Sequence, residues 1–312
     1  MNRRTFLGVA AGLTLADAGA QTPPSIPIID THIHLFDPSR PGGVPWPSAN
    51  NPAHKVMYMP SLPSRYRKVV DGLGIVGAIE IECSPLLEDN QWVLDLAVHE
   101  PFIVGFVGNL PVGSEGFAGH LKRFTANRLF RGIRLRDRKL EGTLDDPAFV
   151  SDLKLLADHD LSLDLVGGTE ILPFAYRLAE EVTPLRIIID HLAGVVVDGK
   201  APSAGWVEKM KALARRPKVF FKLSGLVEGT GRSDGTAPRD EEFYRPVLNS
   251  MREMFGPDRL IYASNWPVSE RFAPLATVQG IVGDYFRRHG RRAEEQVFSQ
   301  SAKVAYKWIA RK

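Results

Sequence analysis

Eight short apolar runs rich in β-branched residues recur along this chain and alternate with longer stretches of helical period. The runs cover 28–31, 75–82, 102–107, 130–135, 161–166, 186–190, 219–223 and 260–263. Short runs without polar alternation suit strands covered on both faces, as in a parallel sheet. Between them, 89–99, 116–127, 146–159, 170–181, 205–214, 241–255 and 273–288 carry apolar residues at helical spacing. Repeated strand–helix units predict a parallel α/β sheet with right-handed crossovers. Eight such units favour closure into a TIM-like (β/α)8 barrel, and no Gly-x-Gly-x-x-Gly follows the first run to argue for an open dinucleotide-binding sheet. The 312 residues hold one such domain, which takes about 250 residues. Residues 292–309 predict an extra C-terminal helix covering the barrel.

The first residues follow a different pattern. Asn2-Arg3-Arg4-Thr5-Phe6-Leu7 precedes an apolar stretch over 8–15 and the small-residue site Ala18-Gly19-Ala20. This reads as a twin-arginine signal peptide over 1–20, leaving a barrel domain over 21–312. It predicts a periplasmic or secreted protein whose precursor meets the twin-arginine export machinery. The apolar stretch is too short for stable membrane insertion. A net charge of +3 spread over scattered Lys and Arg excludes a nucleic-acid surface and leaves a small molecule as the expected partner. Cys83 is the only cysteine, so no intramolecular disulfide forms, and it reads as a buried packing residue.

In a barrel of this kind the active site lies at the C-terminal ends of the strands. The first run ends in Thr31-His32-Ile33-His34, and residues two apart on a strand share a face roughly 6–7 Å apart. His32 and His34 can therefore aim into one pocket and grip a metal ion or an oxyanion. The other strand ends supply Glu82, Arg134 and Arg136, Asp164, His191, Lys222 with Ser224, and Asn265. Arg134, Arg136 and Lys222 suit a substrate bearing a carboxylate or several hydroxyls, with Asp164 in the same binding group. The long segment 37–64 reads as a substrate loop. From it Trp46 and Tyr58, together with Trp266, could stack on a sugar ring.

Taken together, Ile29-Asp30-Thr31-His32-Ile33-His34, Ile189-Asp190-His191-Leu192, Lys222-Leu223-Ser224-Gly225-Leu226 and Ser264-Asn265-Trp266-Pro267-Val268 resemble the amidohydrolase superfamily. The nearest branch is the amidohydrolase-related one that holds sugar-acid lactonases and 2-pyrone-4,6-dicarboxylate lactonase. The resemblance implies a distorted barrel that hydrolyses a lactone, with His32, His34 and His191 matching the family histidines. Asn265 stands where the family carries aspartate, and Asp164 where fuller metal sites carry a histidine, so a binuclear centre is not expected. An amide has no titratable carboxylate to act as a base.

Two mechanisms stay open. In one, His32 and His34 hold a single divalent ion, zinc first, that acidifies a bound water. In the other no metal is used, His32, His34 and Lys222 or Arg134 polarise the carbonyl, and Glu82 or His191 activates water. A decarboxylase of the same superfamily and a carbohydrate-binding protein without turnover are the alternatives to a lactone hydrolase.

Overall fold

The computed structural model describes residues 25–136, 140 and 142–311, so the proposed signal peptide lies outside the described residues. Strands β1 (Ile28–Ile33), β2 (Ile75–Ile81), β3 (Ile103–Gly108), β4 (Phe130–Arg136), β5 (Ser162–Val166), β6 (Arg186–Ile189), β7 (Val219–Lys222) and β8 (Leu260–Ile261) pair in chain order, each parallel to the next. The ring closes where β8 ends: the backbone N–H of Thr31 donates to Tyr262 at 3.2 Å and that of His34 to Trp266 at 2.8 Å. The (β/α)8 architecture is thus the one expected, with strands buried on both faces and covered by helices.

The covering helices are α1 (Pro63–Val69), α2 (Asp89–Val98), α3 (Phe117–Thr125), α4 (Pro147–Asp158), α5 (Ile171–Glu181), α6 (Ala204–Ala214), α7 (Glu241–Phe255) and α8 (Leu275–Arg287). They bury their apolar stripes on the barrel wall in one continuous cluster that includes Leu94, Leu121, Phe124, Leu153, Leu178, Met210, Leu248 and Phe286. Helix α1 lies at the end of the segment read from sequence as an irregular loop, with Tyr66 fully buried. Among the described residues no helix is long and apolar enough to cross a membrane.

The C-terminal cover differs from the single helix expected over 292–309. It is broken into α9 (Arg291–Glu295), a wider π turn (Gln296–Gln300) and α10 (Ser301–Tyr306), ending at Lys307 in the left-handed region. The break has a packing reason. Helix α10 sets Ala302, Ala305 and Tyr306 against Ile29, Ile79, Val104, Ile188, Phe220 and Ile261, residues that fill the lumen from the strands. Its end is tied to the N-terminal ends of the strands: Arg186 donates to the Ala305 carbonyl at 2.7 Å, and the Ile309 N–H to the Val104 carbonyl at 3.0 Å. The segment is therefore a floor for the barrel, leaving the opposite mouth for chemistry.

Strand β1 carries the second irregularity. Asp30 pairs with Ala78 and Ile33 with Glu80, so β1 holds one residue more than β2 over this interval, a β-bulge. Bulges re-aim side chains next to active sites. Here it turns both histidines toward the lumen although Ile29, three residues before His32, already points there.

Candidate active site

Asp30 anchors the site from below. Its carboxylate accepts the backbone N–H of His32 at 3.2 Å, the N–H of Ser264 at 2.8 Å and the Tyr66 hydroxyl at 2.7 Å. One buried acid thus fixes the end of β1 relative to the segment after β8, and so the histidine pair relative to Asn265.

The two imidazoles meet edge to face, with Nε2 of His32 and Nε2 of His34 only 3.2 Å apart. Their protonation can be traced. Nδ1 of His34 lies 2.7 Å from the Ile81 carbonyl, which only accepts, so His34 carries its proton there and presents a lone pair at Nε2. Burial, followed by the charge of Arg134, holds the His34 ring well below the usual imidazole pKa, and burial with Lys222 does the same for His32. Both rings are neutral near pH 7.

Beneath them is a closed charge network. Lys222 Nζ lies 2.5 Å from Asp164 Oδ2, 2.9 Å from Asp190 Oδ1 and 3.1 Å from His32 Nδ1, with all four side chains inaccessible to solvent. The Tyr306 hydroxyl, rising from the floor, donates to Asp164 Oδ2 at 2.7 Å. Burial pushes the Asp164 carboxyl up to about 6 against the opposing pull of Lys222. Burial acts the same way on Asp190, but Lys222 and His32 outweigh it and hold that carboxyl well below its ordinary range. Arg134 forms a second pair, Nε to Glu82 Oε1 at 2.8 Å, and reaches toward Asp190 Oδ2 at 3.7 Å. Arg136, half exposed at the rim, also meets Glu82 Oε1 at 3.3 Å.

His191 follows β6 in the left-handed region, with φ of 52°, and Leu192 and Ala193 share that conformation. Non-glycine residues held there cost on the order of 1–3 kcal/mol each and cluster at functional sites. Gly225 makes room for this turn: with φ of +77°, it sits where a Cβ would fall 2.7 Å from His191 Cβ. His191 Nδ1 bonds Ser224 Oγ at 2.8 Å, and its ring centroid lies 4.6 Å from that of His32. Burial holds its pKa down to about 4, so it too is neutral.

The structure thus brings His32, His34, His191, Lys222, Arg134, Glu82 and Asp164 into one continuous network. Two readings from sequence need correction. Asp164 and Lys222, expected in substrate binding, lie beneath the histidines and bond each other, with Lys222 Nζ turned to Asp164, Asp190 and His32. Trp266, expected to stack on a sugar, is fully buried: its indole N–H donates to Glu270 at 2.8 Å and its ring packs on Tyr66 at 5.1 Å between centroids. Glu82 is held by two arginines, which leaves it poorly suited to the base role expected of it. Trp46 is only partly buried and meets the His34 ring edge to face at 5.6 Å, so it does line the mouth.

Asn265, with φ of 58°, faces an acid that strand ends alone do not reveal. Its amide Nδ2 donates to Glu228 Oε1 at 2.8 Å, while its own Oδ1 is buried and meets no donor among the described residues. Asp190 was likewise not singled out as a site residue, although its place directly before His191 in the quoted motif was a visible signal. For Glu228, six residues past the end of β7, the only signal was an acid in the loop following Ser224-Gly225.

The donor set fits one metal ion. Two nitrogens bound at about 2.0–2.1 Å around a tetrahedral ion lie roughly 3.3–3.4 Å apart, close to the 3.2 Å between the paired Nε2 atoms. Ligand atoms of His32, Asp190 and His191 also lie within 4.8 Å of one another. For His32 to offer Nε2, its proton must move to Nδ1, which now faces the Lys222 ammonium at 3.1 Å, so Nδ1 would have to turn from Lys222 to Asp190 Oδ1, 3.6 Å away, the carboxylate–histidine arrangement common behind metal ligands.

Eight parallel strands with paired histidines at their C-terminal mouth make this a (β/α)8 barrel of the enzyme type. The amidohydrolase family profile matches residues 29–285, and the chain belongs to that family. An L-fucono-1,5-lactonase of Burkholderia ambifaria is 29% identical over 82% of this chain and 83% of its own. An L-rhamnono-gamma-lactonase of Scheffersomyces stipitis is 24% identical over 77% of this chain and 85% of its own. An amidohydrolase from Burkholderia multivorans, solved with bound zinc, superposes with a TM-score of 0.82 at 22% identity, covering 91% of this chain and all of that one.

Proposed function

We propose that this protein opens a lactone by water attack at the ring carbonyl, and that the substrate is a sugar-acid or other polar, carboxylate-bearing lactone. The observation that carries the reading is the pair of neutral imidazoles, Nε2 to Nε2 at 3.2 Å, backed by Lys222 and Arg134. Two such nitrogen lone pairs are suited to a divalent ion, which would polarise the carbonyl as it gains negative charge. The lactonase relatives support the same reaction class.

His32 and His34 would hold a divalent ion, zinc first, with His191 beside them as a further donor, and the ion would acidify a water and polarise the carbonyl. The chain's own residues do the rest. The Ile81 carbonyl orients His34, Lys222 and Asp190 orient His32, and Ser224 orients His191. The half-exposed Arg136 is placed to receive a substrate carboxylate or hydroxyl. Trp46 offers an apolar face to the ring.

A pH-indicator assay over sugar-acid and dicarboxylate lactones is expected to show turnover, to be lost on chelation and to return with added zinc. Turnover of none of these lactones would sink the reading. Activity indifferent to chelators would remove the ion and leave the lactonase.

Export belongs to the same proposal: Arg3→Lys with Arg4→Lys is expected to retain the precursor in the cytoplasm while a chain beginning at Gln21 stays fully active. Fractionation showing the double variant still exported would count against it.

A further inference from the structure

We propose that Asn265 and Glu228 together replace the single carboxylate expected after β8: the amide oxygen of Asn265 holds the attacking water and Glu228 takes its proton. The inference rests on the hydrolytic reading above and names the group that reading lacks.

An ionised carboxylate only accepts, so Glu228 Oε1, 2.8 Å from Asn265 Nδ2, fixes which end of the amide faces it. Oδ1, on the same amide carbon, is then left without that partner. It is buried and has no donor among the described residues, and a buried acceptor without a partner costs about 1–3 kcal/mol unless something arrives to fill it. A water donating one hydrogen to Oδ1 would fill it. Holding Asn265 in the left-handed region, on the segment that Asp30 ties to the histidine strand, is what aims that oxygen.

An amide cannot accept the water's second proton, so a base must stand nearby. Three other acids around the mouth are held by cations: Arg134 and Arg136 hold Glu82, Lys222 holds Asp190, and Lys222 with the Tyr306 hydroxyl holds one oxygen of Asp164. The Tyr66 hydroxyl and two backbone N–H groups hold Asp30, while Glu80 accepts the Leu35 N–H and burial pushes its carboxyl well above the ordinary range. His191 turns Nδ1 to Ser224 Oγ and its ring toward His32.

Glu228 joins no ion pair among the described residues and is the acid that meets Asn265. Its loop is pinned in place by the Gly229 N–H donating to the Gly225 carbonyl at 2.8 Å and by the Val197 N–H donating to Gly229 at 2.9 Å. The groups facing it are Asn265, Arg271 from the turn after β8 and Tyr244 from α7, whose hydroxyl is already donated to Pro238. Glu228 is half-buried, and the loss of water around its carboxyl pushes it up to about 7 while Asn265 and Arg271 oppose the rise, which matches a base to the pH at which it works.

The step balances. One O–H bond of water breaks and its proton passes to the Glu228 carboxylate as the water oxygen bonds the lactone carbonyl carbon, whose π pair moves onto the carbonyl oxygen. When that pair returns, the ring C–O bond breaks and the leaving alkoxide takes the proton back from Glu228. The product is the open hydroxy acid, and Glu228 is again a carboxylate.

The test measures kcat, KM and pH profiles on a lactone that the wild type turns over, for Glu228→Gln, Asn265→Asp and the double variant. Glu228→Gln is expected to lower kcat about 10²- to 10⁴-fold with KM nearly unchanged. In the wild type, kcat/KM should rise with pH through a midpoint near 7, and Glu228→Gln should lose that limb. Adding Asn265→Asp to Glu228→Gln restores a carboxylate beside the water and is expected to recover at least about tenfold, with the limb moved to lower pH.

Glu228→Gln retaining more than about a third of wild-type kcat would overturn the proposal while the lactonase reading stands. So would a double variant no faster than Glu228→Gln. If Glu228→Gln fails to fold, the wild-type profile decides: an acid limb lying below about pH 5, or one unmoved in Glu228→Asp, overturns it. A wild type that opens no lactone ends the hydrolytic reading and this inference with it.

Discussion

Lys222→Met is expected to destabilise the protein by about 3–5 kcal/mol, the usual scale for breaking a buried ion pair by removing one partner. The ammonium stands between Asp164 and Asp190, at 2.5 Å and 2.9 Å, with no solvent to replace it. Without it two carboxylates face each other in the lumen, and each is driven to take up a proton. The sign of the pH dependence follows. Carboxyls raised in the folded state bind protons that the unfolded chain, titrating near 4, does not, so the deficit should shrink as pH falls from 8 toward 5. Asp164, already pushed up to about 6, should be the first to respond. Urea denaturation at the two pH values measures this, and Lys222→Met with Asp164→Asn should lose less than Lys222→Met alone. A loss under about 1 kcal/mol at pH 8 would mean that the network is not what holds the lumen together.

His32→Ala and His34→Ala are each expected to lower kcat/KM at least about a hundredfold, the scale for removing a contact to a developing oxyanion or to a metal. The two should differ in stability. His34→Ala leaves the Ile81 carbonyl without its donor, whereas His32→Ala takes from Lys222 one of three acceptors and opens a void above it. Kinetics on the active lactone, with circular dichroism to confirm folding, read both. Turnover near wild type in either variant would place the chemistry elsewhere.

Much of the barrel was legible because burial on both faces writes itself as uninterrupted apolar runs. The histidine pair was legible because a strand places residues two apart on one face. The bulge in β1 was not, since one extra residue between Asp30 and Ile33 leaves no mark on composition. The burial of Trp266 and Asp164 was hidden for a related reason: a residue at a strand end can face the mouth or the floor, and only closure of the ring decides which. Glu228 escaped because its position depends on a loop path set by Gly225 and Gly229 against the turn after β6, a contact between segments about 33 residues apart. The C-terminal helix looked continuous because its period hardly changes across 296–300, where a wider turn redirects it under the barrel.

That floor bears on what a cut would do. Tyr306 bonds Asp164 from 142 residues further along the chain. Cleavage before α10 would uncover Ile29, Ile79 and Phe220 at the lower end of the lumen and let water reach the Lys222 charges. The cleaved barrel would keep every catalytic side chain and lose the dry interior that sets their charges.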